Sequence, residues 1–376
     1  MSIQFPAVDP DGLLEYSVVF TDRSVNHMSQ LFQQAMRDIS TTLKEVYRAD
    51  AVAVVPGGGT YGMEAVARQL AVDKHCLVLR NGWFSYRWSQ IFEMGKIPAR
   101  ETVMKARLSA EGPQQPFAPA PLEEVVQTIR QGKPDLVFAP HVETASGMVL
   151  PEEYLRAVGE AVHAHGGLFV LDCVASGALW VDMKSVGVDV LISAPQKGWS
   201  ASPCAALVML GAEAVTRVEN SRSNSFACDL LKWLQIMRTY ESGGHAYHAT
   251  LPTDGLLKLH DAMTHTRAFG FDLARDRQWE LGGRVRAMLV EKGFPSVAVA
   301  GFQAPGVVVS YTSDPLIHNG KKFLEQGLQT AAGVPLMCDE PADFRSFRVG
   351  LFGLDKLFDV DATLQRLRQA LEAMPA

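Results

Sequence analysis

A lysine and an aspartate stand at the ends of two successive apolar runs in this chain. Asp172 closes the run Leu168-Phe-Val-Leu-Asp172, and Lys197 follows the run 188–193. Runs of this length and composition predict buried strands. Because an unpaired buried charge is costly, we expect two ionisable groups in such places to have partners. The simpler alternative is that both residues only end their strands or form a surface ion pair.

One organic cofactor needs both of these groups. Pyridoxal phosphate (PLP) forms a Schiff base with a lysine through its aldehyde, and its pyridine nitrogen pairs with an acid. An ionised Asp172 would keep that nitrogen protonated, which makes the ring an electron sink. Lys197, once released by a substrate, could act as the base that moves the α-proton. The pair therefore predicts carbanion chemistry on PLP.

Three further segments with polar or glycine residues follow apolar runs. Residues 57–60 are Gly-Gly-Gly-Thr, which could let a phosphate approach the start of a helix. Residues 81–86 carry aromatic side chains that could stack on a flat ring, and the hydroxyls of 141–147 could reach a phenolic oxygen. Taken singly, each segment is explained as well by a tight turn, a core aromatic residue or a Ser/Thr turn.

Apolar strands alternate with amphipathic helices over most of the chain. This pattern predicts an α/β fold with a mostly parallel sheet covered by helices, in which ligands bind at the carboxyl ends of the strands. We predict a large domain over 15–255, a small α+β domain over 256–376, and an N-terminal arm, 1–14, that packs on a dimer partner or on the small domain. In the small domain the patterns predict strands at 297–302, 307–311 and 347–350, and helices at 321–332 and 360–373.

Composition and charge exclude several classes of function. The 376 residues are 47% hydrophobic and 20% charged, with a net charge of −6, so no basic surplus points to nucleic acid. We see no secretory signal and no membrane-spanning run. The five cysteines are scattered without a C-x-x-C pair, which argues against a zinc or redox motif and favours a cytoplasmic setting.

Taken together and in order, these segments resemble the class V aminotransferases of PLP fold type I, in particular the alanine–glyoxylate and serine–pyruvate aminotransferases. The resemblance runs from about residue 50 to the C-terminus. It is most specific at 169–176, 193–198, 247–250 and 347–350. It implies PLP as the cofactor, with Lys197 as the Schiff-base lysine.

The resemblance also implies roles for other residues. Asp172 would pair with the pyridinium nitrogen, and Arg348 would bind the substrate α-carboxylate. Around the cofactor, it places Gly59, Thr60 and Gln196 at the phosphate, Phe84 and Val174 against the ring, and Thr144, or its neighbour Ser146, at the phenolic oxygen. Tyr247 and Thr250 match residues that reach the phosphate of the other subunit's cofactor, which implies a homodimer with shared active sites.

One segment departs from the family pattern. Where the family has a Gly-Pro-Gly-Pro-like segment lining the substrate pocket, this chain has the polar sequence 14–27. Thr21, Arg23 and Asn26 could contact substrate there. A second cation, Arg345, could bind an acidic substrate side chain or simply be exposed. The departure leaves the amino donor open.

The expected function is a PLP-dependent transaminase. It would move an amino group from an amino acid or amine to glyoxylate or pyruvate by a ping-pong mechanism. One alternative is a cysteine desulfurase or another PLP lyase, for which Cys338 is the only candidate sulfur acceptor. A more remote alternative is a non-catalytic nucleotide-binding protein that uses Gly57–Gly59 for phosphate, but it leaves Lys197 and Asp172 unexplained.

Overall fold

A seven-stranded sheet forms the centre of the molecule in the computed structural model, which describes residues 8–374. The strands are β1 (Ala51–Pro56), β2 (His75–Arg80), β3 (Arg100–Lys105), β4 (Arg107–Leu108), β5 (Phe117–Ala118), β6 (Leu136–Pro140), β7 (Val142–Glu143), β8 (Met148–Val149), β9 (Leu168–Asp172), β10 (Val190–Ser193), β11 (Ala205–Leu210), β12 (Val307–Tyr311), β13 (Ala331–Ala332) and β14 (Ser346–Gly350).

Helices lie between most of these strands. They are α1 (Gln30–Tyr47), α2 (Gly59–Leu70), α3 (Trp83–Gly95), α4 (Leu122–Gly132), α5 (Glu152–His163), α6 (Met183–Val186), α7 (Ala212–Glu219), α8 (Leu230–Glu241), α9 (Thr253–Phe269), α10 (Phe271–Glu291), α11 (Pro315–His318), α12 (Lys321–Glu325), α13 (Leu354–Phe358) and α14 (Val360–Ala373). Within residues 8–374, no helix is long and apolar enough to cross a membrane.

The central sheet has the order β1-β11-β10-β9-β6-β2-β3. Its strands are parallel except β11, which pairs antiparallel with both β1 and β10. Since β1 and β10 both oppose β11, they run in the same direction as the rest. The mostly parallel sheet predicted from the sequence is therefore confirmed. The carboxyl ends of β1, β2, β6, β9 and β10 meet at one edge, where ligands of such sheets bind.

Burial explains why these segments form strands and helices. All residues of β6, β9, β10 and β11 are buried, as expected for strands covered by helices on both faces. The amphipathic helix α1 buries Phe32, Met36, Ile39 and Leu43 along one side. It begins where the hydroxyl of Ser29 accepts a hydrogen bond from the amide of Phe32.

A second, three-stranded sheet has the order β12-β14-β13, with both pairs antiparallel. The predicted strands at 307–311 and 347–350 and the predicted helix at 360–373 are confirmed. Apolar side chains of α10, α14, β12 and β14 form a core cluster beside this sheet. The division into domains 15–255 and 256–376 stays a prediction, and residues 1–7 of the predicted arm lie outside the described residues.

Two sequence predictions in this part of the chain are wrong. Residues 297–302 form only isolated bridges, such as Phe117↔Ala298, and the chain turns at Gly301, where φ is +88°. The predicted helix 321–332 ends at Glu325. Gly327 takes a φ of +74°, which interrupts the helix, and Ala331 and Ala332 pair with β14 instead.

Candidate active site

A cavity of about 220 Å³ lies at the carboxyl edge of the central sheet. Every residue predicted from the sequence to hold the cofactor of its own subunit lines it. The lining residues are Gly59, Thr60, Met63, Phe84, Arg87, Val142, Thr144, Asp172, Val174, Ala175, Gln196 and Lys197. Of the two hydroxyl candidates, Thr144 lines the cavity and Ser146 does not. The Ser146 hydroxyl is buried and has no hydrogen-bond partner among the described residues.

The loop between β1 and α2 approaches the cavity closely because its residues are glycines. Gly57 has a φ of +118°, a conformation that side chains disfavour. A Cβ atom on Gly59 would lie 2.5 Å from Cγ2 of Val174, so a larger residue would force the two segments apart. Helix α2 begins at Gly59 without a side-chain cap. Its first N–H groups therefore suit an anion such as a phosphate.

The first turn of α3 is fixed by a buried carboxylate, Glu143. Its oxygens accept hydrogen bonds from the amides of Phe84 (3.2 Å), Ser85 (2.8 Å) and Ala145 (3.0 Å), and from the hydroxyl of Ser85 (2.7 Å). Burial raises the pKa of Glu143, while these donors stabilise its ionised form. The carboxylate thus ties Phe84 to the loop that carries Thr144. Glu143 is not among the site residues predicted from the sequence.

Asp172 ends β9 and is buried beneath the cavity. Its Oδ1 accepts a hydrogen bond of 2.9 Å from the amide of Val174. Burial raises the pKa of Asp172 to about 6, and the Val174 amide opposes this rise. Because the carboxylate is held partly desolvated, a cation beside it would be strongly favoured.

Lys197 lies in the loop after β10 and lines the same cavity. Burial lowers the pKa of its amine, the charge of Arg348 lowers it further, and Asp172 opposes the change. Its Nζ atom is 5.0 Å from the ring centroid of Phe352. Among residues 8–374 there is no ion pair within 4.0 Å for either Lys197 or Asp172. The amine and the acid are therefore separate groups facing one cavity rather than partners of each other.

These residues fit pyridoxal phosphate. The glycine cradle and the start of α2 suit its phosphate, and Val174 and Phe84 offer apolar contacts for a flat ring. The buried acid Asp172 lacks a cationic partner that a protonated pyridine nitrogen would supply, and the amine of Lys197 suits an aldehyde. Gly59 is the strongest evidence for this fit. A Cβ atom at this position would collide with Val174 and close the space beside it.

Arg348 lies beside the cavity without lining it. Its Nε atom donates to the backbone oxygen of Ala332 (2.8 Å), and its guanidinium carbon is 5.5 Å from the ring centroid of Phe84. The other candidate cation, Arg345, donates to the backbone oxygen of Ser313 (2.9 Å). Arg345 lines a different cavity, of about 310 Å³, to which neither Lys197 nor Asp172 contributes.

Tyr247 and Thr250 lie on the surface of the chain and do not line the cavity. Their hydroxyls are 3.2 Å apart, and the Tyr247 ring is 5.7 Å from that of His27. His27 is the last residue of the segment 14–27, which differs from the family pattern. Tyr247 therefore lies next to this segment.

The structure does not bring the candidate substrate residues of the N-terminal segment to the cavity. The amide nitrogen of Asn26 donates to the carboxylate of Glu15 (3.0 Å) and to the hydroxyl of Ser17 (3.1 Å). Thr21 and Asn26 line a separate cavity formed by residues 8–26, and Arg23 does not line the Lys197 cavity. Asn26 is thus bonded within the segment, and the contact of these three residues with substrate stays a prediction.

Two charged residues at the site, Glu143 and Arg87, were not predicted from the sequence. Arg87 lines the cavity, and its Nη1 atom donates to the hydroxyl of Thr60 (2.9 Å). A signal for it was present, because Arg87 follows Phe84 by three residues on α3, and residues at that spacing share a helix face.

Cys338 has none of the properties of a sulfur acceptor. It is buried, its Sγ atom donates to the backbone oxygen of Arg80 (3.3 Å), and it does not line the Lys197 cavity. Burial raises the pKa of its thiol to about 12, which suppresses the reactive thiolate. The geometry therefore disfavours the desulfurase alternative.

Comparison with known proteins agrees with this geometry. The alanine–glyoxylate aminotransferase of Rattus norvegicus is 26% identical over 94% of this chain and 83% of its own length. A 2-aminoethylphosphonate–pyruvate transaminase of Paraburkholderia xenovorans is 27% identical over 83% of this chain and 80% of its own. The crystal structure of an alanine–glyoxylate aminotransferase from Nostoc superposes with a TM-score of 0.76 over 93% of this chain and 88% of its own, at 22% identity, which shows a common fold.

That shared fold is PLP fold type I, as the order and direction of the central strands also indicate. The sequence profile of the family described as aminotransferase class-V matches residues 13–311, most of the chain. The chain therefore belongs to the class V aminotransferases, which are PLP-dependent transaminases.

Proposed function

We propose that this enzyme moves an amino group from an amino acid or amine to a small 2-oxo acid, glyoxylate or pyruvate, in a ping-pong reaction. The observation that carries the proposal is the convergence of Lys197 and Asp172 on one cavity without an ion pair between them. When bound, PLP supplies the electron sink for this chemistry. The chain's own residues supply proton transfer, orientation and charge.

Lys197 acts as the base that moves the proton at the substrate Cα. Its pKa is lowered by burial and by Arg348, so a larger fraction of the amine is neutral near pH 7 than for an exposed lysine. The ionised carboxylate of Asp172, which lines the same cavity, holds positive charge there. Phe84, fixed by Glu143, and Val174 set the plane in which the reacting groups lie.

Arg348 binds the carboxylate of the donor and of the 2-oxo acid. Its guanidinium fork matches a carboxylate, and its hydrogen bond to Ala332 holds it beside the ring of Phe84, which lines the cavity. Relatives support the acceptor, since their printed names include glyoxylate or pyruvate. They differ in the donor, alanine or 2-aminoethylphosphonate, and Arg348 favours a donor that carries an α-carboxylate.

We further propose a cytoplasmic homodimer in which each subunit completes the other's site. Tyr247 is exposed, and next to it in sequence His248 packs on the exposed ring of Phe226 at 4.5 Å. Exposed aromatic side chains of this kind suit an interface between subunits. The free cysteines of the chain, all buried, fit a reducing compartment.

A subunit-mixing experiment tests the shared sites. The Lys197→Ala variant and a Tyr247→Ala/Thr250→Ala variant are each expected to be impaired. If sites are shared, one site of every mixed dimer contains only native residues, and activity returns to roughly a quarter of the wild-type level after equal mixing. If each site is built from one subunit, mixing restores nothing.

The reaction itself is tested by the visible absorption of the purified protein. We expect a yellow protein whose band bleaches with the correct amine and returns with pyruvate or glyoxylate. A yellow protein that releases product without this cycle would favour lyase chemistry. A colourless protein that takes up no PLP would overturn the proposed function and the role of Lys197.

A further inference from the structure

The cavity contains a cation that the roles above leave unused. Arg87, on the first turns of α3, lines the cavity beside Lys197 and Asp172. Among residues 8–374, no carboxylate lies within ion-pair distance of it. Its one described hydrogen bond uses Nη1, which donates to the hydroxyl of Thr60 (2.9 Å). A guanidinium has five N–H donors, so most of its capacity is available to a ligand.

The contact with Thr60 places Arg87 beside the first turn of α2. Thr60 belongs to the first turn of α2, directly after the glycine loop that approaches Val174. The guanidinium carbon of Arg87 is also 5.2 Å from the ring centroid of Phe84, close to the 5.5 Å of Arg348. Two arginines therefore flank the same ring. Arg87 is held by the glycine-loop helix, and Arg348 by a strand of the second sheet.

The phosphate of PLP needs more positive charge than the start of α2 supplies. A phosphate monoester carries nearly two negative charges at neutral pH, whereas a helix N-terminus contributes only about half a positive charge. The first turn of α2 contains no basic residue: it reads Gly-Thr-Tyr-Gly. A second source of positive charge is therefore needed there, and a guanidinium fork matches phosphate oxygens.

We propose that Arg87 binds the phosphate group of PLP, together with the N-terminus of α2 and Thr60. This inference rests on the proposed function, since it assumes that PLP occupies the Lys197 cavity. It assigns the two arginines beside Phe84 to different anions: Arg87 binds the cofactor phosphate and Arg348 the substrate carboxylate. Arg87 is thus a cofactor-binding residue, and its loss weakens binding of the phosphorylated cofactor specifically.

The test compares two ligands that differ only in the phosphate, PLP and pyridoxal. Their Kd values are measured on the cofactor-free protein by quenching of tryptophan fluorescence, for the wild type, Arg87→Gln and Arg87→Lys. We expect Arg87→Gln to raise the Kd for PLP about 10- to 100-fold, as for a lost charged hydrogen bond, and to change that for pyridoxal less than about twofold. Arg87→Lys keeps the charge but loses the forked guanidinium group. Its Kd for PLP should therefore lie between those of the wild type and Arg87→Gln.

Arg348→Gln is the matched control, because it removes an equally close guanidinium from the same ring. It should leave the ratio of the two Kd values as in the wild type. If Arg87→Gln weakens both ligands equally, or neither, the inference is overturned while the proposed function stands. If the wild type binds no PLP, the proposed function itself fails. Should Arg87→Gln not fold, Arg87→Lys decides: an unchanged PLP-to-pyridoxal ratio overturns the inference.

Discussion

The edge of the central sheet and the region around the second sheet differ in how they build the site. At the sheet edge, short loops after buried strands bring Gly59, Asp172 and Lys197 to one cavity. Arg348, on the second sheet, only borders that cavity, and the N-terminal segment, which contacts Tyr240 and Asp254, does not reach it. Cofactor chemistry is thus encoded by strand ends within one subunit. Substrate selection depends on how separate segments come together and, in the proposed homodimer, on a second subunit.

Among substitutions that test this difference, Lys197→Ala at the sheet edge should have the largest effect on activity. It removes both the covalent attachment and the proton-transferring amine, so we expect transamination to fall by about 10³-fold or more. Lys184→Ala is the matched control, because Lys184 is an exposed lysine paired with Asp50 at 2.8 Å. Steady-state rates measure the effect. Near-normal turnover in Lys197→Ala would break the assignment of the sheet edge to chemistry.

Asp172 should make the cofactor-free protein less stable as the pH rises. Its pKa is raised to about 6 by burial in the folded state, so the unfolded chain ionises it more readily. Between about pH 4 and 6 the folded state therefore holds more protons, and the free energy of unfolding falls with increasing pH by up to about 3 kcal/mol. Asp172→Asn lacks this dependence.

Urea unfolding of both cofactor-free proteins between pH 4 and 7 provides the measurement. Other groups titrate alike in the two proteins, so the difference isolates Asp172. If the free energies of unfolding of the two proteins changed with pH in parallel, the Asp172 carboxyl would not be desolvated. The sheet edge would then not favour a cation beside it.

Arg348 tests the other side of the comparison. Arg348→Gln should raise the KM for a donor with an α-carboxylate about 10- to 100-fold, because a charged, forked hydrogen bond is lost. The visible spectrum of the bound cofactor should not change. Arg345→Gln is the control three residues away, bonded to Ser313 rather than placed beside Phe84. A larger effect at Arg345 than at Arg348 would reverse the roles of the two arginines.

The sequence predicts the residues at the sheet edge better than those elsewhere in the site. Glycines and charged residues directly after apolar runs are local signals, and the parallel sheet brings them together, so Gly59, Thr60, Asp172 and Lys197 could be predicted. The positions of Thr21 and Asn26 could not, since they depend on side chains such as Glu15 that bond within the segment. Glu143 was missed for another reason: its role comes from amides of α3, whose placement no local pattern reveals.

Glu143 gives the smallest expected effect and the finest test of the sheet edge. If its carboxylate is ionised, as its four donors favour, Glu143→Gln leaves donors at Phe84, Ser85 or Ala145 unsatisfied. The free energy of unfolding should then fall by about 1–3 kcal/mol.

If burial keeps Glu143 neutral, the glutamine is a close mimic, and the change should resemble that of a surface control such as Glu64→Gln, about 0–1 kcal/mol. Glu64 only pairs with Arg68 on the surface of α2. Urea denaturation near pH 7 separates the two cases. A loss of stability together with weaker PLP binding would show that Glu143, in the segment after β6, sets the position of the Phe84 ring. The cofactor region would then also depend on a contact between segments that are distant in sequence.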